Sequence, residues 1–110
     1  MIKDMTFTEA IFELDDCDEV NARISKEDLK ALYDEAHCVP CNENGEEDDT
    51  YIEGEVQFLF NKDTDVVDEI LAFPVYSEDQ DAIVNGDFID VTTELWEYRD
   101  EAVSFLNKNK

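Results

Sequence analysis

The residues best suited to chemistry lie together in the segment His37-Cys38-Val39-Pro40-Cys41. A Cys-x-x-Cys pair supplies two thiolates for zinc or forms a redox couple, and a structural zinc ion takes four nitrogen or sulfur ligands. A zinc site usually carries a second paired element, and a redox pair follows a strand, whereas these cysteines follow a predicted helix. We therefore predict neither a metal site nor a cofactor. The alternative is a small zinc-binding adaptor centred on Cys38 and Cys41, with its ligands drawn from Cys17, His37, Cys38 and Cys41.

Carboxylates are abundant, but no arrangement of them marks an active site. Neither Glu46-Glu47-Asp48-Asp49 nor Asp63-Thr64-Asp65 matches the twelve-residue calcium loop, which has glycine at position six and glutamate at position twelve. Acidic pairs are so frequent that none stands out as general acid and base. The chain has no glycine-rich phosphate loop and no nucleophile elbow. We predict that the protein is not an enzyme and has no catalytic residues.

Length and composition indicate one folded domain over residues 1–110. Hydrophobic residues make up 43% of the chain, which is more apolar material than a disordered acidic chain carries. The 31 acidic and 8 basic residues give a net charge of −23, and the acids alternate with apolar residues instead of collecting in a tail. No membrane span or signal peptide is evident, and three cysteines fit a reducing compartment. These features predict a cytoplasmic protein that does not associate with membranes.

The first half of the chain contains two helix signals. Residues 6–14 combine a capping-box pattern with Phe7 and Ile11 on one helical face, although their β-branched and aromatic content also allows a strand; we favour a helix. Ser25 is suited to cap a second helix over residues 26–37, because acids fill its first turn and apolar residues recur at helical spacing. Pro40 prevents that helix from continuing.

The second half alternates in the manner of strands and ends in a helix. Residues 51–60 form the clearest strand, residues 66–76 a second one with Pro74 at an edge or bulge, and Asn85-Gly86 indicates a hairpin. Thr92 or Thr93 is expected to cap a final helix, whose buried stripe we predict as Leu95, Trp96, Ala102, Val103 and Leu106. The predicted fold class is α+β, with a small antiparallel sheet of about three to four strands and two to three helices packed on one face. The other face is left to water and carboxylates.

A surface this negative repels nucleic acid and anionic membranes and attracts proteins with basic grooves. In size and charge the chain resembles the small acidic DNA-mimic inhibitors of phages and mobile elements, of the antirestriction or anti-CRISPR type. That resemblance implies an anti-defence inhibitor that mimics nucleic-acid phosphates, blocks the basic site of a nucleic-acid-binding protein or nuclease, and does not itself bind nucleic acid. The acids that we expect to face outward and contact the partner are Glu46, Glu47, Asp48, Asp49, Glu53, Glu55, Glu78, Asp79 and Asp81.

The negative charge also fits two further classes of protein. The chain resembles, again in size and charge, the acidic immunity proteins that neutralise nuclease toxins, and they would use the same mechanism of blocking a basic cleft. Acidity is also an adaptation to high internal salt, although lysine exceeds arginine here and the Phe and Ile content does not suggest it.

Overall fold

The computed structural model describes residues 5–13, 17–41, 46–64, 66–76 and 88–109. These residues form the following elements in chain order: β1 (Met5–Glu13), β2 (Cys17–Ser25), α1 (Lys26–Glu35), β3 (Glu53–Asn61), β4 (Val67–Val75), β5 (Ile89–Asp90), a 3-10 helix (Trp96–Tyr98) and α2 (Arg99–Asn109). The five strands form one antiparallel sheet in the order β1-β2-β3-β4-β5. The α+β class is confirmed, but the described sheet has five strands where three to four were expected. Among the described residues, no helix has the length and apolar content needed to cross a membrane.

The hydrophobic core lies between the two helices and one face of the sheet. Alternate residues of β2, β3 and β4 point to this face and are fully buried, as Val20, Phe58 and Ile70 illustrate. From the helical side, Leu29 and Leu106 reach the same core. The packing of both helices against one face of the sheet agrees with the prediction.

Strand β1 corrects the helix predicted over residues 6–14. Phe7 of β1 stands opposite Ala22 of β2, a strand that sequence analysis left unassigned. The Phe7 ring packs on Phe58 of the sheet and Phe105 of α2, with ring centres 5.9 and 5.3 Å apart. A local capping pattern competes weakly with strand pairing and aromatic packing of this kind, because tertiary contacts override intrinsic propensity.

Helix α1 begins as its sequence predicts and ends two residues earlier. The backbone N–H of Asp28 donates to Ser25 Oγ at 3.2 Å, so Ser25 is the N-cap. At the other end His37 adopts a left-handed conformation with φ of 57°. This conformation lets the Cys38 N–H bond back to the Tyr33 carbonyl at 3.0 Å, which closes the helix.

The second face of the sheet differs from the expectation that water covers it. Asn21, Glu55 and Gln57 point away from the helices, yet they are only 2%, 3% and 8% exposed. Phe73, opposite Glu55 on the same face, is also buried. The alternation of apolar and polar residues in β3 correctly separates the two faces. It does not determine whether the polar face is solvated.

The C-terminal segment reaches its helix later than expected. The Thr92 hydroxyl accepts a hydrogen bond from the Ile70 N–H of β4 at 3.0 Å, so it joins this segment to the sheet and does not cap α2. Trp96, predicted in the buried stripe, is 37% exposed, whereas Leu95, Ala102 and Leu106 are buried as predicted. The predicted Asn85-Gly86 hairpin lies outside the described residues.

Candidate functional site

The acidic run at positions 46–49 is on the surface for the most part. Glu46, Glu47 and Asp49 are exposed. Asp48 is half-buried, and its Oδ1 accepts hydrogen bonds from the backbone N–H and the hydroxyl of Thr50 at 2.9 and 2.6 Å. Three of the four side chains are therefore exposed, while Asp48 also organises the loop.

The two predicted contact residues of β3 are held by one arginine of β2. Arg23 Nε lies 3.0 Å from Glu55 Oε1, and the Arg23 guanidinium also forms an ion pair with Glu53. Glu55 is not the outward-facing acid that was expected, because its side chain is 4% exposed. Its charge is already paired inside the protein, so Glu55 is a poor partner contact.

Two buried carboxyl groups on this face have altered acidity. Burial raises the pKa of Glu55, and the carboxylates of Glu19 and Glu53 add to the rise, although Arg23 opposes it. Burial also raises the pKa of Glu19, against a hydrogen bond that Asn21 donates to it at 3.2 Å. The second Glu55 oxygen, Oε2, is buried and has no hydrogen-bond partner among the described residues. Ionisation of Glu19 and Glu55 therefore opposes folding.

The remaining predicted residues divide into two groups. Glu78, Asp79 and Asp81 lie outside the described residues. The four candidate zinc ligands are not brought together: Cys17 begins β2, whereas His37, Cys38 and Cys41 follow α1. Across the described ranges no three His, Cys, Asp or Glu side chains are close enough to hold a metal ion. This geometry gives no support to the zinc-binding alternative.

Acids that the sequence analysis did not name lie on α1, close to Asp49, which it did name. Glu27 and Asp34, one heptad apart on the helix, act together with Asp49 on the Tyr51 phenol. The pKa of Tyr51 is raised first by burial and then by these three carboxylates. The outer face of α1 and the loop that contains Asp49 therefore both place carboxylates near Tyr51, and the contact of Lys26 with the Asp49 carbonyl joins the loop to α1.

The neighbouring face of α1 forms one wall of an acidic groove. Asp28 and Glu35, also one heptad apart, face the segment that precedes α2, where Glu94 and Glu97 lie. The groove has a volume of about 340 Å³ and is lined by Asp28, Ala31, Leu32, Glu35, Glu94, Leu95 and Glu97. Burial raises the pKa of Tyr98 nearby, and Glu97, Glu101 and Asp28 raise it further. The negative potential is therefore felt on both sides of α1.

We call the exposed acids together the α1 acidic surface: Glu27, Asp34, Glu35, Asp49, Glu94 and Glu97. Asp28 is buried and does not belong to it. The heptad spacing of the four acids on α1 is visible in the sequence and could have identified that half of the surface. Nothing local indicates that Glu94 and Glu97 lie beside them, because more than 50 residues separate the two segments.

The basic residues near this surface are directed at aromatic rings and backbone oxygens. Lys26 Nζ lies 4.7 Å from the centre of the Tyr51 ring and donates to the Asp49 carbonyl. The Arg99 guanidinium lies 4.9 Å from the Trp96 ring centre and donates to the Trp96 carbonyl at 2.8 Å. Their positive charges are thus held by cation–π and backbone contacts.

Three comparisons, with family models, with curated proteins and with solved structures, find no match to this chain.

Proposed function

We propose that this protein is an acidic inhibitor that occupies the nucleic-acid-binding site of a basic partner protein, with its carboxylates in the positions of phosphates. The observation that carries the proposal is the α1 acidic surface, which extends from Asp49 across α1 to Glu94 and Glu97. Mimicry of a polyanion requires acids gathered on one surface, because even scatter would dilute them below the charge density of a duplex.

The dimensions of the molecule are consistent with this role. Its longest axis is 37 Å. A DNA duplex carries one phosphate charge for about 1.7 Å of axis, so a duplex of equal length bears roughly 22 charges. The protein has a net charge of −23. The whole protein therefore carries about the same net charge as a duplex of equal length.

The acids of this surface are available to an outside cation. Glu27, Asp34, Glu94 and Glu97 are exposed and form no ion pair within the described residues. Lys30 is exposed on the same face of α1 and likewise forms no ion pair with a described residue. The six acids of the surface outnumber the two lysines of α1, Lys26 and Lys30, so the surface keeps a net negative charge. This charge attracts a basic cleft from a distance, and the attraction weakens with salt.

The test is capture of the partner at low salt, followed by competition with a DNA duplex of about 11 base pairs, which matches the long axis of the protein. One variant replaces four acids of the surface with lysine, as E27K/D34K/E94K/E97K. A matched control makes the same change in net charge at four exposed acids elsewhere, as D63K/D68K/E69K/D90K.

We expect the first variant to weaken binding at least about 100-fold at low salt and the control to change it far less. We also expect the duplex to displace the wild-type protein. Equal weakening by both variants, or a partner that the duplex does not displace, would contradict the proposal. A captured nuclease toxin would assign the protein to the immunity class, with the same surface in use.

A further inference from the structure

The acidic groove combines two features that a flat negative surface lacks. Its floor is apolar, formed by Ala31, Leu32 and Leu95, and Leu32 and Leu95 are almost fully buried. Its rim carries the carboxylates of Glu35, Glu94 and Glu97. The volume of about 340 Å³ falls at the lower end of the range of about 300–1,000 Å³ in which proteins bind small ligands.

The rim carboxylates are not neutralised from within the chain. Glu35, Glu94 and Glu97 are exposed and form no ion pair or hydrogen bond through their side chains in the described part of the protein. None of the described residues that line the groove is basic. The nearest basic residues along the chain are Lys30, which is exposed and does not line the groove, and Arg99, which is held by the ring and carbonyl of Trp96.

The separation of the carboxylates favours an organic cation over a metal ion. A divalent ion needs several oxygen ligands within about 2.6 Å, and no three acids of the described residues are close enough to supply them. An arginine side chain has an aliphatic stem that packs on an apolar floor and five N–H donors that fan out toward separate acceptors. A lysine ammonium is a compact charge on a flexible stem and matches spread carboxylates less well.

We propose that the groove is the subsite for one arginine side chain of the partner, with the stem on the exposed Ala31 and the guanidinium between Glu35, Glu94 and Glu97. This inference rests on the proposed function, because it assigns to one feature of the α1 acidic surface a defined element of the partner's basic site.

The experiment is an amide NMR titration of the full ¹⁵N-labelled protein with N-acetyl-hexa-arginine amide at low salt, with the hexa-lysine peptide in parallel. We expect saturable shifts centred on residues 31–35 and 94–98, with at least about fivefold tighter binding of the arginine peptide. E94Q/E97Q should weaken arginine binding at least about tenfold, because it removes two charge-assisted contacts. The matched control E27Q/D34N removes equal charge from the outer face of α1 and should weaken it about twofold or less.

A steric variant tests the groove without changing charge. Ala31 is exposed on α1 and contributes to the floor, so Ala31→Phe should fill the groove and weaken arginine binding about tenfold while the helix remains folded. The inference is overturned if shifts spread over all acidic segments, if both charge variants weaken binding equally, if Ala31→Phe has no effect, or if the two peptides bind equally.

Failure of the arginine-subsite inference is distinguishable from failure of the proposed function. Loss of partner binding in E27K/D34K/E94K/E97K, without a groove-specific response to hexa-arginine, would retain the inhibitor role and reject the arginine subsite. Groove-specific binding of hexa-arginine, together with partner binding that survives the fourfold reversal, would reject the proposed function and leave a groove that binds guanidinium groups.

Discussion

Replacement of Arg23 by glutamine is expected to destabilise the protein strongly at neutral pH. Arg23 is the counter-charge of Glu55, whose side chain is only 4% exposed. At the observed 3.0 Å separation and an effective dielectric constant of about 20, the Coulomb attraction is roughly 5 kcal/mol before desolvation is subtracted. Removing one partner of a buried pair typically costs about 3–5 kcal/mol, because the other charge is left buried.

We expect a loss of about 3 kcal/mol for R23Q, at the lower end of that range, because the Arg23 side chain is 27% exposed. In a chain of 110 residues this corresponds to a Tm lower by about 12 °C. The cost should shrink as pH falls from 7 to 5. Burial raises the pKa of Glu55, so the penalty of its ionised form is present above the folded pKa and is relieved below it.

Urea unfolding at pH 7 and pH 5 measures both effects, with E55Q and R23Q/E55Q completing a double-mutant cycle. The double variant replaces the buried Glu55 and the partly exposed Arg23 by two neutral amides and should lie within about 1 kcal/mol of the wild type. A cost for R23Q below about 0.5 kcal/mol, an equal cost at both pH values, or a double variant no more stable than R23Q would refute this reasoning.

Three further predictions concern stability. The wild-type protein should become more stable as pH falls from 7 toward 5, because burial raises the pKa of both Glu19 and Glu55 and their ionised forms oppose folding. Thermal melts in which Tm falls over this pH range would contradict this prediction. Raising NaCl from low concentration to about 0.5 M should increase Tm at pH 7 by screening repulsion among the surface acids, and a salt-independent Tm would contradict it. Gly54→Ala should cost about 2 kcal/mol in urea unfolding, since the new Cβ would lie 2.9 Å from Ile24 Cγ1 and from Leu29 Cβ; unchanged stability would mean that the packing there is loose.

Features governed by neighbouring residues were predictable from the sequence. The cap of α1 requires only Ser25 and the residues of the first turn, and the alternation of residues 51–60 locates β3. The turn between β3 and β4 likewise depends on Asn61, whose Oδ1 accepts from the Asp63 and Thr64 N–H groups at 2.8 and 3.3 Å. The overall charge also follows from composition alone.

The tertiary structure decided which acids are exposed and which are enclosed. Arg23 and Glu55 are 32 positions apart, and only the register of β2 against β3 sets them opposite each other. Distant segments also determine two other features. Residues of β1 have a helical pattern but pair with β2, and the groove forms because α1 lies beside Glu94 and Glu97. Backbone preference extends over a few residues, whereas burial and charge pairing depend on segments that the chain brings together only when it folds. The sequence therefore determined how negative this protein is, and packing determined where that charge is available.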